Sequence, residues 1–303
     1  MSQSSETIIE QATQFIWTTG SVLDQRRMAL FAGTGDRDAV LNTVAAYRAP
    51  AGGFAFALEP DVKGPEPQPL TAMVALEILD EADAIDQSTA APICDWLAGV
   101  SATDGGVPNL LPSIEPYPRP PWVAAPTEVV GELLATARIT GLLLKHRVEH
   151  PWIETARAFC RAAIEALATT HPYEVFSLNV LLDNDPDRDW ARGVSKRLGE
   201  LVREADLVLL DPANPRGIPT PPGYAEQEFH FAVDFAPTPD GLAAAWFSSA
   251  ELAASLEHLR AERLDDGGWP IHYRRWTPGI EYQARPGFTL RALHTLRAWN
   301  QLD

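Results

Sequence analysis

Proton-transfer chemistry needs a carboxyl group with a raised pKa, a partner that titrates near neutrality and walls that thin out the water. Several short stretches of this chain supply parts of that set. Glu59-Pro60-Asp61 holds two acids rigidly on either side of a proline, although a loop acid there would equally serve to cap a helix beginning at Leu70. Asp234 lies among Phe231 and Phe235, apolar neighbours that would keep a proton on it for general-acid work. Glu281 sits between Trp276 and Tyr282 in a comparable setting. His230 and His272 fall in aromatic loops, where a histidine either carries protons or forms a structural hydrogen bond. Other acids read more simply. Asp265-Asp266 stands where acids make turns, Asp240 where they cap helices, and Asp183, Asp185, Asp187 and Asp189 form an acidic turn ahead of a helix.

The loops that hold these acids also hold aromatic and basic side chains. Phe54, Phe229, Trp269, Tyr273 and Trp276 would line a cavity. Lys63, Arg274 and Arg285 would hold a diphosphate, with Arg119, Arg216 and Arg275 in the same class of loop. An aromatic cup with convergent polar groups suits an apolar or cationic ligand; the plainer alternative is a set of rings that plug one end of the fold.

The elements that would position these residues follow from a repeat. Gly52-Gly53-Phe54, Gly105-Gly106-Val107 and Gly267-Gly268-Trp269 stand about 53 residues apart and then about three such steps apart, the mark of a repeat array. Apolar periodicity predicts helices over 7–18, 36–47, 70–79, 92–100, 127–144, 152–167, 175–182, 190–202, 242–247, 250–263 and 286–299. Some of these segments are apolar nearly all round and others have one polar face. That alternation predicts an all-α fold in one domain over residues 1–303, an α/α toroid with an inner ring of apolar helices, an outer ring of amphipathic ones and the chain ends meeting. The long loops would then gather at one end, over the N-termini of the inner helices.

Arg48-Ala49-Pro50-Ala51-Gly52-Gly53-Phe54 and Arg263-Leu264-Asp265-Asp266-Gly267-Gly268-Trp269, each followed by a loop and an apolar helix, resemble the repeats of the terpenoid cyclase and protein prenyltransferase superfamily. The resemblance implies a squalene-cyclase-like α/α barrel with an aromatic cavity for an isoprenoid, where cation–π contacts of about 1 kcal/mol each would steady a carbocation. It further implies an acid that starts the reaction. The matching segment Pro67-Gln68-Pro69-Leu70-Thr71-Ala72 has no acid, so Asp61, Asp234 and Glu281 are the candidates. Neither Cys94 nor Cys160 lies where a prenyltransferase zinc ligand would, and both read as buried hydrophobes.

A net charge of −17 argues against a broad nucleic-acid surface. No apolar run is long enough to cross a bilayer, and the first residues lack a signal-peptide pattern, so a cytoplasmic protein is expected. G-x-S-x-G, P-loop, G-x-G-x-x-G and H-E-x-x-H patterns are absent from the sequence. The leading expectation is acid-initiated cyclisation or isomerisation of an isoprenoid, with no metal or cofactor of its own, although a diphosphate substrate would bring Mg²⁺ with it. A carbohydrate-active hydrolase or lyase on the same barrel, with paired carboxylates and aromatic platforms, is the alternative. A non-catalytic toroid that binds a small molecule is the third.

Overall fold

The structure, a computed structural model, describes residues 7–215, 220, 223–226 and 228–302. Among these the secondary structure is helical: α1 Ile8–Thr19, α2 Val22–Phe31, α3 Arg37–Ala45, α4 Pro69–Glu81, α5 Gln87–Val100, α6 Leu133–Lys145, α7 Pro151–Glu165, α8 Pro172–Asn184, α9 Arg188–Glu204, α10 Ala232–Phe235, α11 Ser249–Ala261 and α12 Gly279–Ala298. Two isolated bridges are the only extended pairings among the described residues. The all-α class expected from the sequence is what forms. No helix among the described residues is long and apolar enough to cross a membrane.

The chain divides into two compact units, Val44–Ala205 and the pair of segments Met1–Thr43 and Asp206–Asp303. In the first unit α6 packs against α4 and α8, while α7 and α9 cover α6 and α8 respectively. The roles follow from composition. Helix α6 buries Leu133, Ala135, Thr136, Ala137, Ile139, Thr140, Gly141, Leu142 and Leu143, so it needs neighbours on most sides, and Gly141 lets α8 come close. Helix α9 keeps charged residues on one face and buries Ala191, Leu198 and Val202 on the other. Asp187 caps it by accepting from the Trp190 amide, and buried Asp185 takes a bidentate pair from Arg157 at 2.8 Å for each bond. The acidic run is thus a turn and a helix start. Cys94 and Cys160 are buried free thiols, and burial pushes the Cys94 thiol up to about 12.

In the second unit α1 packs on α12 and α2, and α12 also touches α2 and α11, so the first and last helices meet. Helix α2 escaped the periodicity reading because its polar and apolar residues are not segregated. Its signal is instead a capping box, in which Ser21 and Asp24 satisfy each other's amides. Gly20, expected to stop α1, is its C-cap.

Other boundaries differ for identifiable reasons. Helix α5 starts at Gln87 rather than Pro92, because Asp86 and Thr89 form a capping box one turn earlier and Pro92 is absorbed inside the helix. Residues 127–132 are not helical; Glu132 is the N-cap of α6, and its amide donates to the Val107 carbonyl at 2.9 Å. Residues 242–246 form a 3₁₀ turn rather than an inner helix. Helix α12 begins at Gly279, not Pro286, so the proline lies in its interior.

The three double-glycine sites form one and the same turn. The amides of Ala49, Ala102 and Leu264 donate to the carbonyls of Gly53, Gly106 and Gly268, and the amides of Gly52, Gly105 and Gly267 donate back to Ala49, Ala102 and Leu264. The first glycine of each pair takes a φ near +90°, which a side chain resists. The second lies flat on a ring, so that a Cβ there would come within 3 Å of Trp96, Phe159 or Phe15. Phe54, Val107 and Trp269 then enter the core at 1%, 0% and 2% exposure.

Candidate functional site

The third turn brings titratable groups together within its own unit. Helix α11 carries His258 near its end, and Glu262 caps it. The chain then makes the turn at Leu264–Gly268 and returns, so that His272 meets Glu262 with Nε2 at 2.8 Å from Oε1. His258 Nε2 approaches the same oxygen at 3.2 Å, buried and too poorly aligned for a hydrogen bond. Burial alone would raise the Glu262 carboxyl, but His258 and His272 together outweigh it and hold it at about 2. The bond to Glu262 raises the His272 imidazole against the opposing effect of its own burial, helped by the charges of Glu262, Asp234 and Glu228.

Asp234 reaches this group from another direction. Its segment is tied down by the Leu209 amide donating to the His230 carbonyl at 2.7 Å and by a parallel bridge between Leu209 and Phe231. Helix α10 is anchored on α11 by the Val233 amide, which donates to buried Ser255 Oγ at 3.1 Å. The Asp234 carboxylate accepts from the Phe231 amide at 2.7 Å. Its side chain stays 37% accessible. Desolvation raises its pKa to about 6; the nearby Glu262 charge pushes the same way, while the Phe231 amide, Arg291 and His272 oppose it. His230 Nδ1 stands 4.0 Å from the Asp234 carboxylate, and His230 Nε2 is 2.9 Å from the Tyr224 hydroxyl. The Phe231 ring packs 4.2 Å from the His258 ring, centroid to centroid.

The result is two acids in one neighbourhood with pKa values driven apart, one near 6 and one near 2, and a histidine paired with the ionised one. Such a division fits a proton donor beside a carboxylate that is kept ionised and can stabilise developing positive charge. Among the described residues no group of side chains is arranged to hold a metal ion.

The residues expected from sequence fall into distinct classes. Asp234, His230 and His272 come together as described, and Tyr273 is adjacent through its stack on Phe288, with centroids 5.7 Å apart. Phe229 and Trp276 are half-buried in the same unit, and Arg274 is exposed there. Phe54 and Trp269, expected to line a cavity, are core residues instead; the Trp269 indole donates to the Leu259 carbonyl at 2.6 Å. Arg285, expected to hold a diphosphate, is committed to the turn. It makes two 2.8 Å bonds to Asp266, donates to the Trp269 carbonyl at 3.1 Å and stacks 4.5 Å over the Phe15 ring. Glu281, expected as an acid, is half-buried and ion-paired with Arg275. Asp61 belongs to the other unit, where its amide donates to Glu59 and both acids offset the desolvation that lowers the Lys63 pKa. Arg216 lies outside the described residues.

Glu262, His258 and Arg291 were not singled out in the sequence. The legible sign was the i, i+4 pair His258 and Glu262 at the end of a helix, directly before a turn that folds His272 back.

No protein-family model and no curated protein matches the chain. A crystal structure of a protein from Actinoplanes is similar to it at a TM-score of 0.55 and 16% identity, over 96% of this chain and 89% of that one. The likeness is one of fold.

Proposed function

We propose that the protein is a general acid–base enzyme acting on a small polar substrate, of the carbohydrate hydrolase or lyase kind. Asp234 is the proton donor and, once ionised, the base that takes the proton back, while Glu262, held ionised beside His272, stabilises the charge that develops in the transition state. The observation that supports this reading is the opposed tuning of Asp234 and Glu262. Their surroundings are hydrogen-bonding and charged, with His230, His258, His272 and Arg291 close by, which suits hydroxyl groups better than a hydrocarbon. The isoprenoid reading keeps one support, the half-buried rings of Phe229, Tyr273 and Trp276, and it loses Phe54 and Trp269 to the core. An α/α toroid would accommodate either chemistry.

Turnover assays against oligosaccharides, uronate-containing polymers and isoprenyl diphosphates test the reading. A polar substrate should be turned over, and Asp234→Asn should lower kcat by roughly 10²- to 10⁴-fold. Unchanged turnover in that variant removes Asp234 as the acid, and activity confined to isoprenoids removes the substrate class. Stability supplies a substrate-free check. Burial pushes the Asp234 carboxyl up from its ordinary 3.8 to about 6, so it favours folding at low pH, and that contribution is lost as pH rises from 3.8 through about 6. Asp234→Asn should therefore raise the Tm at pH 7 and leave it nearly unchanged at pH 3.

A further inference from the structure

Arginines in this acid-rich chain generally have partners. Within the unit that contains the candidate site, Arg285 pairs with Asp266, Arg275 with Glu281, and Arg297 donates to the Phe31 carbonyl. Arg291 is different. Its guanidinium lies 5.0 Å over the Phe288 ring and makes no hydrogen bond or ion pair among the described residues. Phe288 stacks in turn on Tyr273, so the guanidinium rests on a small aromatic shelf that limits its orientations while leaving its N–H groups open to solvent. The shelf is beside the acid–base group, because Tyr273 directly follows His272, whose Nε2 is 2.8 Å from Glu262; the Arg291 charge also acts on Asp234. A protein with a net charge of −17 offers many carboxylates that would neutralise such a side chain, yet none among the described residues is paired with this one.

We propose that Arg291 receives a negatively charged group of the substrate, a carboxylate or a phosphate, while Asp234 faces the bond that reacts. The proposal rests on the acid–base reading of Asp234. A planar guanidinium matches either oxyanion through two parallel N–H bonds, which gives orientation as well as attraction. The ring beneath it holds the plane, so less side-chain freedom is lost on binding. The anionic group would also be drawn toward this exposed cation in an acidic protein, which makes Arg291 a determinant of specificity. Arg285, the basic residue of α12 that stood out in the sequence, is already spent on its turn, and Arg291 stands six residues further along the same helix.

Calorimetric titration of the full chain with inorganic phosphate and with glucuronate, with glucose as the neutral control, tests this. At least one anion should bind and glucose should not. A preference for phosphate indicates a phosphorylated substrate, and a preference for glucuronate indicates a uronate. Arg291→Gln should weaken the bound anion tenfold or more, and Arg291→Lys should fall between, since an ammonium keeps the charge but not the paired geometry. Equal affinity in wild type and Arg291→Gln, or no binding of either anion to the wild type, overturns the proposal. The pH series separates it from the reading beneath it. Glu228, Glu262, His230, His258, His272 and Arg291 are the other ionisable groups of this neighbourhood, so Asp234→Asn is needed to isolate Asp234. Anion binding should weaken as pH rises through about 6 in the wild type, and this step should vanish in Asp234→Asn, which keeps its affinity. Loss of binding in Arg291→Gln without that step retains Arg291 and rejects Asp234; the step without the loss does the reverse.

Discussion

The second and third glycine turns have the same hydrogen bonds, yet only at the third do the described residues flanking the turn include an acid and a histidine that meet. Where the third has Glu262 two residues before its first turn residue and His272 eight residues after it, the second has Val100 and Leu110, and the first has Tyr47 and Ala57. The turn is therefore a clamp that brings two flanking positions together, and the residues placed there decide whether the meeting is structural or chemical. A second difference concerns what steadies the clamp. In the first two turns the carbonyl of the buried residue accepts from a backbone amide at a helix N-cap, Gln68 to Phe54 at 3.2 Å and Glu132 to Val107 at 2.9 Å. Helix α12 extends further back, so the amide at the corresponding position lies inside the helix, and the Arg285 side chain donates to Trp269 instead. Four residues on, Thr136 and Thr289 accept from the amides of Val107 and Trp269 in matching fashion, whereas the first turn has Ala72 at that place.

The largest effect that would break the third clamp is expected at Gly267. Its φ of +89°, together with a Cβ that would stand 2.4 Å from the Gln11 carbonyl oxygen, predicts a loss of roughly 3–5 kcal/mol for Gly267→Ala. Urea denaturation measures it, and a loss below that at an exposed helix position would show that the clamp yields. Arg285→Ala comes next, at about 2–3 kcal/mol, because it strands the carbonyl of buried Trp269, while Asp266, half exposed, recovers part of its loss from solvent. Glu132→Ala in the second turn should cost only about 1 kcal/mol, since the backbone bond to Val107 survives. Equal losses at the two sites would erase the distinction drawn between them.

Acid sharpens the same contrast. The Arg285 guanidinium beside Asp266 holds its carboxyl below the usual value, so the pair stabilises above the unfolded pKa of 3.8 and is lost as pH falls through the lower folded value. In Arg285→Ala that part of the acid dependence should flatten when Tm is followed from pH 6 downward. The smallest effect is the hydroxyl. Thr136→Val and Thr289→Val should each cost about 1 kcal/mol, leaving one buried amide without its acceptor. A difference of more than about 1 kcal/mol between the two would mean that the matching bonds are not equivalent.

Much of this architecture was written locally. The double glycines mark the turns because only glycine takes that backbone or lies that close to a ring, and the alternation of polar faces gave the helical class and most helix positions. Caps outranked prolines in setting starts, so α5 and α12 began earlier than Pro92 and Pro286 suggested. Asp234 was legible because its aromatic neighbours are adjacent in sequence. Glu262 was not, because what tunes it is His272, brought into contact by the turn, and a helix neighbour whose direction only the fold decides. Trp269 and Arg285 misled for a related reason: an aromatic or basic residue in a loop reads as accessible until its core contacts are known.

Pro286 gives α12 a weak seam. Without an amide, it cannot complete the helical bond to the carbonyl one turn earlier, and so the segment 279–285 is joined to the rest of the helix by one rung fewer than its length implies. A length change in α12 should be absorbed there first, on the side of the proline where Arg285 stacks on Phe15 of α1.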